Sequence, residues 1–82
     1  MKLKVYEVGQ GFYPQEVLVE IRSAEGGKRM LIDKRGLEAG YYVKVGSPIS
    51  VRDDKNYLVE LPRETTAGEW RVWVAPDQVL AG

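Results

Sequence analysis

Asp53, Asp54 and Asn56 set three oxygen-bearing side chains within four residues, a group that could in principle hold a hard cation. A calcium loop needs its donors at alternate positions, a glycine in the middle and a distal bidentate glutamate. The run Val51-Arg52-Asp53-Asp54-Lys55-Asn56-Tyr57 has neither the glycine nor the glutamate, so it reads as a solvated turn and no metal site is assigned. Gly9-Gln10-Gly11 lacks the third glycine and the Lys-Ser/Thr pair of a phosphate loop, and it reads as loop geometry. The 82 residues include no histidine and no cysteine. That removes Ser-His and Cys-His nucleophiles, an imidazole base near pH 7 and the usual zinc ligands. A paired-carboxylate mechanism would need a cleft that so small a domain scarcely offers. Catalysis within one chain is therefore not expected, no catalytic residue is assigned and no cofactor is implied.

Basic residues carry the other chemistry of interest. Lys plus Arg and Asp plus Glu number 12 each, so the net charge is zero and no long-range field draws the chain to nucleic acid or an anionic membrane. The charge is uneven all the same. Residues 22–55 hold eight bases against five acids, a local excess of three. Lys28, Arg29, Lys34, Arg35 and Lys44, interleaved with Tyr41 and Tyr42, are the candidates for following a single-stranded backbone while rings stack on bases. The competing reading, that these charges keep outer faces wet and strand edges unpaired, is preferred here. No complex with nucleic acid is expected at physiological ionic strength.

Short alternating runs position these side chains. Hydrophobic residues make up 44% and charged residues 29%, too apolar a mixture for disorder, so one folded domain over residues 1–82 is expected. Leu3 and Val5 alternate with Lys2 and Lys4 in a first strand over residues 2–8. Residues 16–22 place Val17, Val19 and Ile21 on one face against Leu18, Glu20 and Arg22 on the other. Ala24-Glu25-Gly26-Gly27-Lys28 reads as a hairpin connection to a strand over residues 29–33, whose register Met30-Leu31-Ile32 leaves open. Gly36 to Gly40 breaks the chain again, and Gly46-Ser47-Pro48 interrupts or bulges the strand that follows. Tyr57, Val59 and Leu61 share one face of the next strand, and Trp70, Val72 and Val74 one face of the last long one. No window has the three- and four-residue apolar spacing of a helix, so helix content is expected to be one short turn at Pro76. No apolar run approaches the ~20 residues of a membrane span, and with no leader in view a cytoplasmic protein is expected.

Six short strands with glycine-rich turns and no crossover helix imply an all-β, antiparallel architecture. The stretch Gly68-Glu69-Trp70-Arg71-Val72-Trp73-Val74-Ala75-Pro76-Asp77-Gln78-Val79 runs from an alternating strand into a proline-started turn. In that layout residues 41–82 resemble the SH3-like barrels, which close through a single 3₁₀ turn to a short last strand. The resemblance implies a small barrel of five or six strands and implies no function. The acidic loop and paired-Trp groove of signalling SH3 domains are missing. The type II dihydrofolate reductases, short SH3-like chains that build an active pore by oligomerising, are similar in layout over residues 57–79. Their pore uses a Val-Gln-Ile-Tyr run where this chain has Arg71-Val72-Trp73-Val74, so no catalytic residue carries over.

The alternation also sets an outward row. If Val17, Val19, Ile21, Tyr41, Val43, Val45, Tyr57, Val59, Leu61, Trp70, Val72 and Val74 form the core, then Leu18, Tyr42, Leu58 and Trp73 point out, and Leu31 with them if Met30 and Ile32 point in. Neighbouring outward apolar residues would exceed the patch sizes usual for a monomer. A non-enzymatic interaction module is the reading this supports, self-associating or binding a protein through Trp73, Tyr42, Arg71, Leu18 and Leu58. Nucleic-acid binding through the basic region is the alternative, and an enzyme assembled only at an oligomeric pore is the third.

Overall fold

The computed structural model describes residues 1–39 and 41–81. Lys2–Lys4 (β1) and Tyr6–Gln10 (β2) are the expected first strand split at Val5, whose N–H donates to the Tyr41 carbonyl at 2.8 Å, one position past the Lys4–Tyr42 pair. Glu16–Ser23 (β3) and Gly26–Asp33 (β4) pair over their whole length, from Glu16 opposite Asp33 to Ser23 opposite Gly26. The hairpin turn shrinks to Ala24-Glu25, and Gly26 directly after it takes the positive φ of 107° with which a glycine bulge follows such a turn. A 3₁₀ turn over Lys34–Gly36 leads to Leu37–Glu38 (β5), then Tyr42–Lys44 (β6) and Ser50–Val51 (β7). Tyr57–Glu60 (β8), Arg71–Val74 (β9), a 3₁₀ turn over Pro76–Gln78 and Val79–Leu80 (β10) complete the chain. Gly40, at the end of the expected break, lies outside the described residues.

All pairings are antiparallel, as the sequence led one to expect. The strands form three small sheets, ordered β10-β1-β6-β5, β2-β3-β4 and β7-β8-β9, and do not close into one continuous barrel. The reason is local. The ladder is interrupted at Val5, shifts register between Glu7 and Gly9, and is broken by Gly46-Ser47-Pro48. The 3₁₀ turn expected at Pro76 is present; Gln78 holds it by accepting the Ala75 N–H at 2.8 Å and donating to the Arg22 carbonyl at 2.8 Å. A second 3₁₀ turn, at Lys34, was not anticipated. Its signal was Asp33, whose carboxylate accepts the Arg35 N–H at 2.8 Å in the manner of an Asx turn.

The core follows the alternation of β3 and β4. Val17, Val19 and Ile21 meet Ile32 and Met30, all buried, which settles the β4 register with Leu31 outward. Leu3, Val5, Val43, Val45, Val59, Leu61, Val72, Val74 and Val79 complete the same cluster, and Tyr57 packs half-buried against it. Two expected core residues are not core. Tyr41 is 62% and Trp70 53% exposed, since each stands just before its strand, where the facing layer has ended.

Candidate functional site

The five expected interface residues do not converge. Leu18 lies opposite Leu31 on the outer face of the second sheet and Leu58 opposite Trp73 on the third, while Tyr42 sits on the first. Leu18, Tyr42, Leu58 and Trp73 are half-buried, and Arg71 is exposed. The Trp73 ring is roofed by the Arg52 guanidinium, 4.3 Å from its centroid, an arrangement that covers the indole with a cation. Arg71 turns to Glu60, 3.4 Å away across the strands.

The basic candidates are also dispersed. Lys28 pairs with Glu69 at 3.1 Å, Arg29 with Glu20 at 3.5 Å and Arg35 with Asp33 at 2.9 Å. Lys34 lies in the first 3₁₀ turn and Lys44 on β6. The Arg35 side chain donates two hydrogen bonds to Asp33, which together with the backbone N–H holds the Asp33 carboxyl down at about 2. Asp54 is lowered too, chiefly because it accepts the Asn56 N–H, with Arg52 3.1 Å away. The expected solvated turn at residues 53–56 is thus braced by its own carboxylate. Among the described residues no group of three or more carboxylates, His or Cys is placed to hold a metal ion.

The structure brings two further groups of side chains together at the surface. The first is the inner face of the third sheet. Its rows are Tyr57, Val59 and Leu61 on β8 and its continuation, Val74, Val72 and Trp70 beside them, and Val51 with Ile49 on the β7 side. Val59, Leu61, Val72 and Val74 are covered by the core, yet Val51 is 57% and Ile49 48% exposed. Backbone bonds in this hairpin run inward to β8, as in Ile49 N–H to Leu58 and Arg52 N–H to Asn56, and among the described residues none reaches the outer edge of β7. The other edge of this sheet is occupied: the Trp73 carbonyl accepts the Ala24 N–H at 2.8 Å.

The second arrangement is the outer face of the first sheet. Lys2 stands opposite Lys44 and Lys4 opposite Tyr42, so a stretch at one end of the chain and a strand forty residues away share one face. The row continues from Lys4 to Tyr6, which lies under Arg22 at 3.8 Å from guanidinium to ring centroid, with the Lys4 ammonium at 5.6 Å. Lys4, Tyr6, Tyr41 and Tyr42 line a shallow hollow of about 220 Å³. A larger cavity of about 350 Å³ lies between Ile32, Val43 and Pro62, rimmed by Asp33, Arg35, Glu38, Lys44 and Arg63. Its charges are largely committed to one another or to neighbours: Asp33 to Arg35, Glu38 to Lys2 at 3.5 Å and Arg63 to Glu16 at 3.5 Å. The chain matches no protein-family model, no curated protein and no solved structure, so the surface chemistry alone carries the functional reading.

Proposed function

We propose that this protein is a non-catalytic interaction module that associates with a second copy of itself along the edge of β7. The observation that supports the reading is the half-exposed pair Ile49 and Val51 beside a strand edge that carries no backbone bond among the described residues. Two β7 edges related by a two-fold axis would pair antiparallel and set these side chains against their symmetry mates, the self-complementary arrangement a dimer requires. Zero net charge imposes no repulsion between copies. With only Ser50–Val51 in the strand, the contact falls below the ~1,200 Å² of a stable interface, so the dimer is weak and concentration-dependent. A cysteine-free chain of this kind suits a cytoplasmic setting. An SH3-like relationship is part of the same proposal, supported by the last strand, which follows a 3₁₀ turn and pairs with the first.

Light scattering over a concentration series tests the dimer. A mass rising from monomer toward dimer is expected, with Val51→Lys holding the chain monomeric and Trp73→Lys leaving the rise in place. A mass that stays monomeric throughout, or a rise untouched by Val51→Lys, would overturn the proposal.

A further inference from the structure

The outer face of the first sheet carries chemistry that self-association does not use. Lys4, Tyr6, Tyr41 and Tyr42 line its hollow, Arg22 of the adjoining second sheet lies on the Tyr6 ring, and Lys2 and Lys44 stand opposite each other farther along β1 and β6. We infer that this face binds single-stranded nucleic acid, its lysines following the phosphates and Tyr41 stacking on a base. The inference stands independently of the β7 dimer.

Three observations carry it. The cations are held in place, because Arg22 and Lys4 both lie against the Tyr6 ring and lose little further freedom on binding a phosphate. Arg22 lies on Tyr6, and a guanidinium plane is itself a surface on which bases stack. Tyr41 is 62% exposed at the rim of a hollow that is small beside the roughly 300 Å³ at which drug-sized ligand pockets begin, a size suited to one flat group with the remainder of the ligand outside. The acids bordering the face are engaged: Glu38 with Lys2 at 3.5 Å, and Glu20, which faces Tyr6, with Arg29 at 3.5 Å. A base-free polyanion or an anionic lipid surface would use the lysines without needing the tyrosines, and this separates those ligands from the one inferred.

The test is the anisotropy of a fluorescent oligothymidylate of about 12 nucleotides, titrated with the full chain at about 50 mM salt and then at rising salt. Binding is expected, with a logarithmic salt slope no steeper than about −2 for Lys4, Lys44 and Arg22 at about −0.7 each, Lys2 being held by Glu38. Lys4→Gln should flatten the slope by about 0.7. Tyr41→Ala should cost about tenfold in affinity while leaving the slope unchanged, the sign of a lost stacking contact. The circular dichroism of that variant should match the parent, since the ring is outside the core. No binding at the lowest salt would overturn the inference. So would Tyr41→Ala binding like the parent, or competition by inorganic polyphosphate or phosphatidylserine vesicles as strong as that of unlabelled oligonucleotide.

Discussion

Ile21 in β3 and Ile49 beside β7 are the same residue in similarly alternating stretches, yet Ile21 is 0% and Ile49 48% exposed. Both side chains point to the inner side of their sheets. Ile21 lies in an eight-residue strand flanked by β2 and β4, with the β9 edge docked to the turn that follows it. Ile49 lies at the end strand of a three-stranded sheet, past the limit of the layer that covers Val59 and Val72. The outer edge of β4 shows how the chain closes an edge when it does so: the Thr66 N–H donates to the Arg29 carbonyl at 2.8 Å, and Lys28 reaches Glu69. Beside that covered edge, the open edge of β7 stands out as a surface. Alternation decides which side of a sheet a residue faces, and the extent of the opposing layer decides whether that side is dry.

The strongest way to break this comparison is to truncate both isoleucines. Ile21→Ala should destabilise by about 2–5 kcal/mol and Ile49→Ala by less than about 1 kcal/mol, read by denaturant unfolding. Equal losses would mean that the β7 side is packed in solution, as in a dimer too tight to dissociate. A milder pair on one strand should behave likewise: Val19→Ala costs about 1–3 kcal/mol, and Glu20→Ala, which gives up only a partly exposed ion pair, under about 1 kcal/mol.

The loop that covers β4 offers the next test. Thr65 is a buried polar residue, and its hydroxyl accepts the N–H groups of Glu69 at 3.1 Å and Ala67 at 3.3 Å. Thr65→Val should leave both donors without that partner and cost about 1–3 kcal/mol, with faster amide exchange in the loop and along β4. Unchanged exchange in β4 would mean the edge is closed by something other than this loop.

The two hairpin turns sharpen the comparison further. Gly26, directly after the β3–β4 turn, and Lys55 in the β7–β8 turn both have positive φ, 107° and 71°. Gly26→Ala should therefore cost about 1 kcal/mol, whereas Lys55→Gly should be neutral or gain a few tenths, because relief of the left-handed strain offsets the added freedom of the unfolded chain. Both would be measured by thermal unfolding. A gain from Gly26→Ala would show that the turn adopts another backbone in solution.

The smallest effect belongs to acid. The lowered Asp33 carboxyl contributes its stabilisation above its ordinary value of 3.8 and loses it as the pH falls toward about 2. The pair is largely exposed, so little stability goes with it. Carboxyl NMR should find Asp33 titrating near 2 in the parent chain and close to 3.8 in Arg35→Ala; a midpoint already at the ordinary value in the parent would show the pair to be open.

The β3–β4 hairpin was legible because its signal is local: Val17, Val19 and Ile21 alternate without interruption, and Gly26-Gly27 marks the turn. The 3₁₀ turn at Lys34 was not anticipated, because its one local cue, Asp33, is a weak and common signal. Tyr41 and Trp70 were misjudged because alternation carries no information about where a facing layer stops. The face shared by Lys2, Lys4, Lys44 and Tyr42 could not be read from residue order, since Lys2 and Lys4 lie about forty positions from Lys44 and Tyr42.

The sequence by itself determined the all-β, antiparallel character, most of the inward-facing residues, the Pro76 turn and the absence of imidazole and thiol chemistry. All of these follow from local spacing or from composition. The tertiary structure alone decided the division into three sheets, the covering of Trp73 by Arg52, the exposure of Ile49 and Val51 and the meeting of β1 with β6 under a row of lysines. Those features depend on which strand becomes whose neighbour, a choice made by burying the whole apolar set at once and not by any one stretch of the chain.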